Sequence, residues 1–520
     1  METDVIIVGA GPTGLSLACQ LFRHGIDFVI FDKSEGISRY SKAIGVQART
    51  LEIYEQINLA DDLIAIGAKA ENAQLVEGGE IRGKIDLLQL GRNLSPYPFM
   101  LLVEQNKHEE LLYNFLKTKG KDVFWQTELE NFSQDENGVS ANIKTDDGNL
   151  RTIHAKYLVG CDGAKSPVRH ALNLNFEGST FERLFYVADV EINWNFSHDS
   201  VYVALAQNTI TAFFPLPGEN RFRIVGTFPE NEERHEGDIL YEEIERQIAA
   251  DTKLNLDISN VNWFSVYRVH SRRVNKFSEG RCFVAGDAAH IHTPAGAQGM
   301  NTGIQDAYNL AWKLAHVLRG KTDAKILDSY NEERLENAKN LLETTDRIFE
   351  FGASPETFTS YIRTHIFPYI ANFALSLNPV KNFIFPLVSQ IGINYRHSSL
   401  SDHFEDSVFK TKAGDRMPYF LIEGASIYER LKAPKFHLLT FSDGEIDSGA
   451  LQEQIGNEFA DLYDYNVFPL YPRIAEIFGA NKTFTVLLRP DNYIATIFYP
   501  SENNRIKAYF NSLATSKVFR

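Results

Sequence analysis

Three short runs of this chain carry residue types that could do chemistry. The first is Gly9-x-Gly11-x-x-Gly14, with Pro12 and Thr13 inside it and Asp32 closing the next apolar run. Gly9 permits a tight turn, Gly11 lets a pyrophosphate approach the backbone, and Gly14 lets a helix pack close to a strand. The first N–H groups of that helix and the positive end of its dipole then face the anion. Asp32, with Lys33 beside it, is placed to accept hydrogen bonds from a ribose. FAD and NAD(P) share this pattern. The second run, Gly280–His290, is a strand that ends in Gly286-Asp287, where Asp287 can accept bonds from ribityl hydroxyls. The third, Pro294-Ala295-Gly296-Ala297-Gln298-Gly299-Met300-Asn301, is a loop whose backbone can lie against a flat ring. A helix opening at about Asn301–Thr302 would favour negative charge on a reduced isoalloxazine. The last two runs favour FAD as the resident nucleotide. Pro294 and Gly296 are the candidate positions at its reacting edge.

These residues need elements to position them. Asp4–Val8 is a β-branched run expected as a strand buried on both faces. Leu15, Ala18, Leu21 and Phe22 recur at helical spacing until His24-Gly25, and Phe28–Phe31 is the next strand. Together they make a right-handed βαβ unit. Val123–Ile143 and Phe185–Val225 alternate apolar and polar residues, which predicts half-exposed antiparallel strands of a second layer. A long helix is expected over about Thr302–Leu318, helical sequence through about Ser389, and a domain boundary near residue 400.

The 520-residue chain suits several domains, and its formal net charge of −16 disfavours nucleic acid and anionic membrane as partners. No apolar run is long enough to span a bilayer, and no signal peptide is expected before the first strand. Cys19, Cys161 and Cys282 are scattered, as expected of a soluble protein in a reducing cytoplasm. His290 and His292 have only Asp287 close by in sequence, so no metal is expected.

With Tyr157–Ser166 added, the glycine fingerprint and the Gly286-Asp287 block resemble the FAD-dependent aromatic hydroxylases, single-component flavoprotein monooxygenases of the para-hydroxybenzoate and phenol hydroxylase type. Asn309–Leu314 and Leu327–Arg334 extend the likeness, which covers about residues 1–400. It implies an α/β fold: a Rossmann-like FAD domain (1–72, 103–174 and 276–400, with a helical extension) and an inserted antiparallel substrate domain (73–102 and 175–275). It also implies roles for Asp162 and Gly163 near the flavin phosphates and the nicotinamide path. Gln105 should touch the flavin side, Lys42 a phosphate or ribose, and Arg169 should end the Asp-Gly segment. Ala413–Pro418 and Leu487–Ile494 resemble the thioredoxin-like tail of phenol and polyketide hydroxylases, here over 401–520. The tail has no cysteine, so a structural or dimerising role is expected, and Arg489-Pro490-Asp491 is expected to be turn chemistry.

There is no second strand–GxGxxG–helix unit. The resemblance therefore implies that NAD(P)H visits transiently to reduce FAD, that O2 adds at flavin C4a, and that one oxygen atom passes to a phenolic, polyketide or antibiotic-like ring. Tyr202, Phe213, Phe214 and Pro215 are the candidate cleft wall, with core packing as the competing role. A flavin-dependent dehydrogenase or reductase on the same fold, or a non-catalytic metabolite-binding flavoprotein, are the alternatives.

Overall fold

The computed structural model describes the chain apart from residues 39–40, 42, 207–208, 230–238, 294–297, 354–383, 405, 445–458, 501–503 and 515–520. Lys42, Pro294 and Gly296 lie outside the described residues.

A central sheet runs in the order Ser278–Glu279, Cys282–Val284, Tyr157–Gly160, Val5–Val8, Phe28–Phe31, Val123–Phe124. All of its pairs are parallel except the short edge strand Ser278–Glu279. Val5, Ile6, Ile7 and Val8 are all buried, as a strand covered on both faces requires. Helix Pro12–Arg23 returns from Val5–Val8 to Phe28–Phe31, and Gly25 in the left-handed region ends the turn after it. Helix Gly299–Leu318 packs on Pro12–Arg23. It begins at Gly299, so Gly299, Met300 and Asn301 form its first turn instead of preceding it.

The alternating stretches do not form one layer. Val123–Phe124 is an edge of the parallel sheet, whereas Glu128–Gln134, Val139–Lys144 and Leu150–Ala155 make a separate three-stranded antiparallel sheet. Residues 72–86 and 176–274 build the large sheet of eight strands, with His290–Ile291 at its edge. Alternation reports half-burial, and either sheet satisfies it.

The C-terminal region has a four-stranded sheet in the order Tyr463–Pro469, Phe436–Ser442, Phe484–Leu488, Ile494–Phe498. The first pair is parallel and the other two antiparallel, followed by helix Asn504–Leu513. This is the strand order a thioredoxin-like unit requires. It docks on the long helices through buried charge. Arg489 donates to Glu333 and Asp491, and Lys313 Nζ lies 2.8 Å from Glu333 Oε2. Arg489 also closes a turn with Tyr493 and Asn492. The expectation of turn chemistry is therefore incomplete. The same three residues seal an interface, because Arg489 and Asp491 are at most 1% exposed.

Candidate active site

The glycine turn is closed from its far side by Asp32. Ala10 N–H donates to Asp32 Oδ2 at 2.8 Å, and Ser34 N–H donates to Oδ1 at 2.8 Å. Gly9 has φ of +101°, and a Cβ there would strike the Cys161 carbonyl. A Cβ at Gly14 would run into the Gly9 carbonyl oxygen. At Gly11 the case is reversed: nothing lies within 4 Å of a built Cβ, so the turn presents open space there. No side chain among the described residues caps the helix, and Pro12 occupies its first turn. The free first-turn N–H groups and the open approach at Gly11 fit a pyrophosphate. Lys33 is exposed just past Asp32.

Thr13 joins this turn to the second run. Its side chain fills the space where a Cβ on Gly286 or on Gly303 would go. Gly286 is left-handed with φ of +60° and donates its N–H to Asp306 Oδ2 at 2.9 Å. Asp287 follows in an exposed position at the carboxyl end of strand Cys282–Val284. Beneath it, His290 Nε2 lies 2.7 Å from Asp306 Oδ2, and Arg334 Nε donates to Oδ1 at 2.6 Å. Burial opposes ionisation of Asp306, but the Arg334 and His290 partners hold its carboxyl below the ordinary range. His290 is thus a buried strut of the loop. Asp306 and Arg334 brace the Gly286-Asp287 loop, and motif spacing missed them. The available signal was the single carboxylate of helix Gly299–Leu318, two turns beyond Gly299.

Asp162 caps the next turn, accepting from Ser166 Oγ and from Val168 N–H at 3.0 Å. Burial raises its carboxyl, and those hydrogen bonds oppose the shift. Gly163 has φ of +79° with open space at its Cβ position. Arg169 does end this segment and ties it to the Asp287 loop, donating to Ala164 O at 2.8 Å and Ala288 O at 3.0 Å. The turns Gly9–Gly14, Asp162-Gly163 and Gly286-Asp287 therefore meet at the carboxyl edge of three adjacent parallel strands. In open α/β sheets that edge is the ligand-binding crevice.

Gln105 and Asn301 act through backbone positioning. Gln105 Oε1 accepts from Ala43 N–H at 3.1 Å, and its Nε2 donates to Glu109 at 2.8 Å. Asn301 accepts from Gln47 N–H and Thr50 Oγ1 and donates to Gly45 O at 2.8 Å. Its side chain locks the start of helix Gly299–Leu318, so the groups this turn can offer a ligand are backbone ones. Met300 is half-buried beside it.

The cleft-wall expectation needs correction at Tyr202 and Phe213. Tyr202 and Phe213 face each other across two strands and are fully buried with Ile224, Ile244 and Ile248 beneath helix Tyr241–Thr252. Their aromatic character serves the core of the middle layer. Phe214, one residue on, points to the other face and packs with Ile44, Leu102 and Val203. Pro215 is buried at the strand end.

Comparison with known proteins identifies the family. The chain is 32% identical over 511 residues to a flavin-dependent monooxygenase of Mycobacteroides abscessus, covering 95% of this chain and 96% of that one. It is 33% identical over 532 residues to 6-methylpretetramide 4-monooxygenase of Streptomyces rimosus, covering 95% and 90%. The solved anhydrotetracycline hydroxylase OxyS of Streptomyces rimosus superposes with a TM-score of 0.78 at 25% identity over 99% of each chain. Residues 2–345 match the family model described as FAD binding domain, and the chain belongs to that family, as an FAD-dependent aromatic hydroxylase.

Proposed function

We propose that FAD lies across the three turns, with its pyrophosphate at Gly11, its adenosine ribose on Asp32 and its ribityl chain on Asp287. The observation that carries this assignment is the convergence of Gly9–Gly14, Asp162-Gly163 and Gly286-Asp287 on one sheet edge, tied by Thr13 and Arg169. Bound there, FAD supplies the electron transfer and oxygen activation that no side chain can. The chain's own residues do the rest. Asp32 holds the glycine turn while offering its remaining lone pairs to the ribose. Asp306 fixes Gly286, and Asn301 fixes the helix whose N-terminal dipole stabilises negative charge at the ring. Phe214 and its apolar neighbours keep water from the face opposite that helix.

NAD(P)H and O2 are the co-substrates in this proposal, and a phenolic or polyketide-like aromatic is the acceptor. Both relatives are named as monooxygenases, one of them 6-methylpretetramide 4-monooxygenase. The same proposal assigns residues 1–72, 103–174 and 276–400 to the FAD domain, 73–102 and 175–275 to the substrate domain, and 401–520 to the thioredoxin-like tail. Among the described residues no helix is long and apolar enough to cross a membrane. The three cysteines are free thiols, all buried, which supports a cytoplasmic setting.

The test is mass spectrometry of products from a panel of phenols and polyketides supplied with NAD(P)H and labelled O2. A product carrying one labelled oxygen atom is expected. Substrate-dependent NAD(P)H oxidation without label in any product would replace a monooxygenase with a dehydrogenase or reductase.

A further inference from the structure

The middle sheet carries a polar cluster that the dinucleotide side leaves unused. Asp189 registers opposite Arg223 on one neighbouring strand and opposite Trp263 on the other. Arg223 Nε donates to Asp189 Oδ1 at 2.6 Å, and Nη2 donates to Oδ2 at 2.8 Å. Trp263 Nε1 donates to Oδ2 at 2.8 Å, and the guanidinium lies 5.3 Å from the Trp263 ring. Asp189 and Arg223 are each 1% exposed. One edge of the guanidinium fork is thus fully used. The other is not: Arg223 Nη1 is buried with no hydrogen-bond partner among the described residues. A buried donor without an acceptor has given up its hydration for nothing, the more so on a charged group, so a retained one calls for an explanation.

The position of Arg223 supplies one. Strand alternation sets it on the face opposite Phe213 and Ile224, and its cross-strand partner is Phe214. Phe214 packs with Ile44, the residue before Gly45, and Gly45 O accepts from Asn301 at the start of the long helix. Arg223 therefore belongs to the face turned toward the expected position of the flavin ring. Tyr267 shares that face: burial pushes its hydroxyl up to about 12, and the Arg223 charge opposes the shift. Phe214, Trp263 and Tyr267 are half-buried; Phe214 is the cross-strand partner of Arg223 and the Trp263 ring lies against its guanidinium.

We propose that the Nη1 edge of Arg223, held in place by Asp189 and Trp263, receives an acceptor oxygen on the aromatic substrate, a ring carbonyl or a phenolic oxygen. The inference rests on the monooxygenase assignment above and adds the residue that reads substrate oxygenation. Asp189 balances the guanidinium charge, so the subsite takes a neutral carbonyl or hydroxyl as well as a phenolate. Because Arg223 is buried, the side chains that cover it must give way for the oxygen to reach Nη1, and burial of the substrate ring offsets the cost.

The experiment measures binding to the oxidised holoenzyme without NAD(P)H, by flavin absorbance change and thermal shift. The probes are 1,4-naphthoquinone, 1-naphthol and naphthalene, followed by the corresponding anthracene series. The oxygenated probes should bind the wild-type protein at least about tenfold tighter than the bare hydrocarbon, a difference of about 1.4 kcal/mol. Arg223→Gln should erase that preference while leaving hydrocarbon binding and FAD content unchanged. Should Arg223→Gln lose its FAD because Asp189 is left unpaired, the Arg223→Gln/Asp189→Asn pair and Arg223→Lys carry the test. Equal binding of all three probes by the wild type, no binding in either series, or a preference that survives in a flavin-loaded variant would each overturn the proposal. No turnover occurs in this assay. Missing label in the O2 experiment therefore counts against the monooxygenase reading alone, and equal probe binding against the Arg223 subsite alone.

Discussion

Glu333 and Arg334 are consecutive residues of one helix, and they hold different partners. Glu333 accepts from Lys313, Asn309, Ser398 and Arg489, and so fastens the C-terminal region. Arg334 reaches Asp306, Thr302 O and the Tyr395 hydroxyl, and so stiffens the Gly286-Asp287 loop. Both are fully buried, and burial weighs against charge in each. Burial would raise the Glu333 carboxyl, yet Arg489 and Lys313 hold it well below the ordinary range. What differs is the product of the ion pairs. At Glu333 it is an interface between two layers, and at Arg334 it is the direction of one backbone N–H at a cofactor turn.

The largest effect should come from breaking the first cluster. Arg489→Ala leaves Glu333 and Asp491 buried without their main cation, and removing one partner of a buried pair costs about 3–5 kcal/mol. Chemical denaturation should show that loss. A change under 1 kcal/mol would mean that the C-terminal region is not held by this cluster. The same reasoning applies to truncation near residue 400, which uncovers Glu333 and Trp312. The shortened chain is expected to lose its fold along with its solubility.

The second cluster should answer in a different observable. Asp306→Asn keeps the shape and one acceptor but removes the charge facing Arg334 and His290. FAD affinity is expected to fall by roughly tenfold, about 1.4 kcal/mol, with the C-terminal region still docked. If FAD affinity is unchanged while stability collapses, the two clusters have the same role and the contrast between them fails.

A smaller effect separates the helix at Gln105 from both clusters. Burial pushes the Glu109 carboxyl up to about 7, with the Gln105 bond opposing it and Asp32 adding to it. A carboxyl raised in the folded state contributes stability that is fully present below its unfolded pKa and is lost as pH rises through about 7. Glu109→Gln should therefore melt with the wild type at pH 4 and a few degrees above it at pH 8. Parallel melting curves at both pH values would show that Glu109 is not held as a buried carboxyl.

The parts legible in the sequence were those whose chemistry is local. Gly9, Gly11 and Gly14 constrain one turn, Asp32 closes it, and Gly286 and Gly163 take left-handed conformations within a few residues of their strands. Spacing along the chain encodes such features. Asp306 pairs with Arg334 and Glu333 with Arg489 across distances in sequence that no local pattern records. Tyr202 and Phe213 show a further limit. Period-two alternation puts them on one face but does not say which face meets the core, and helix Tyr241–Thr252 decided that. The same ambiguity hid Arg223, whose partner Asp189 lies three strands earlier in the chain order.

The central claim is that the open approach at Gly11 is where the cofactor's pyrophosphate lies. The most direct measurement compares FAD bound per chain in the wild type and in Gly11→Ala, together with the melting temperatures of both apoproteins. A Cβ at this position meets nothing within 4 Å in the protein itself, so the apoproteins should melt alike. The wild type should hold about one FAD per chain, and the variant should lose FAD affinity by at least about tenfold. Full FAD occupancy with unchanged affinity in Gly11→Ala would place the phosphates elsewhere and contradict the account.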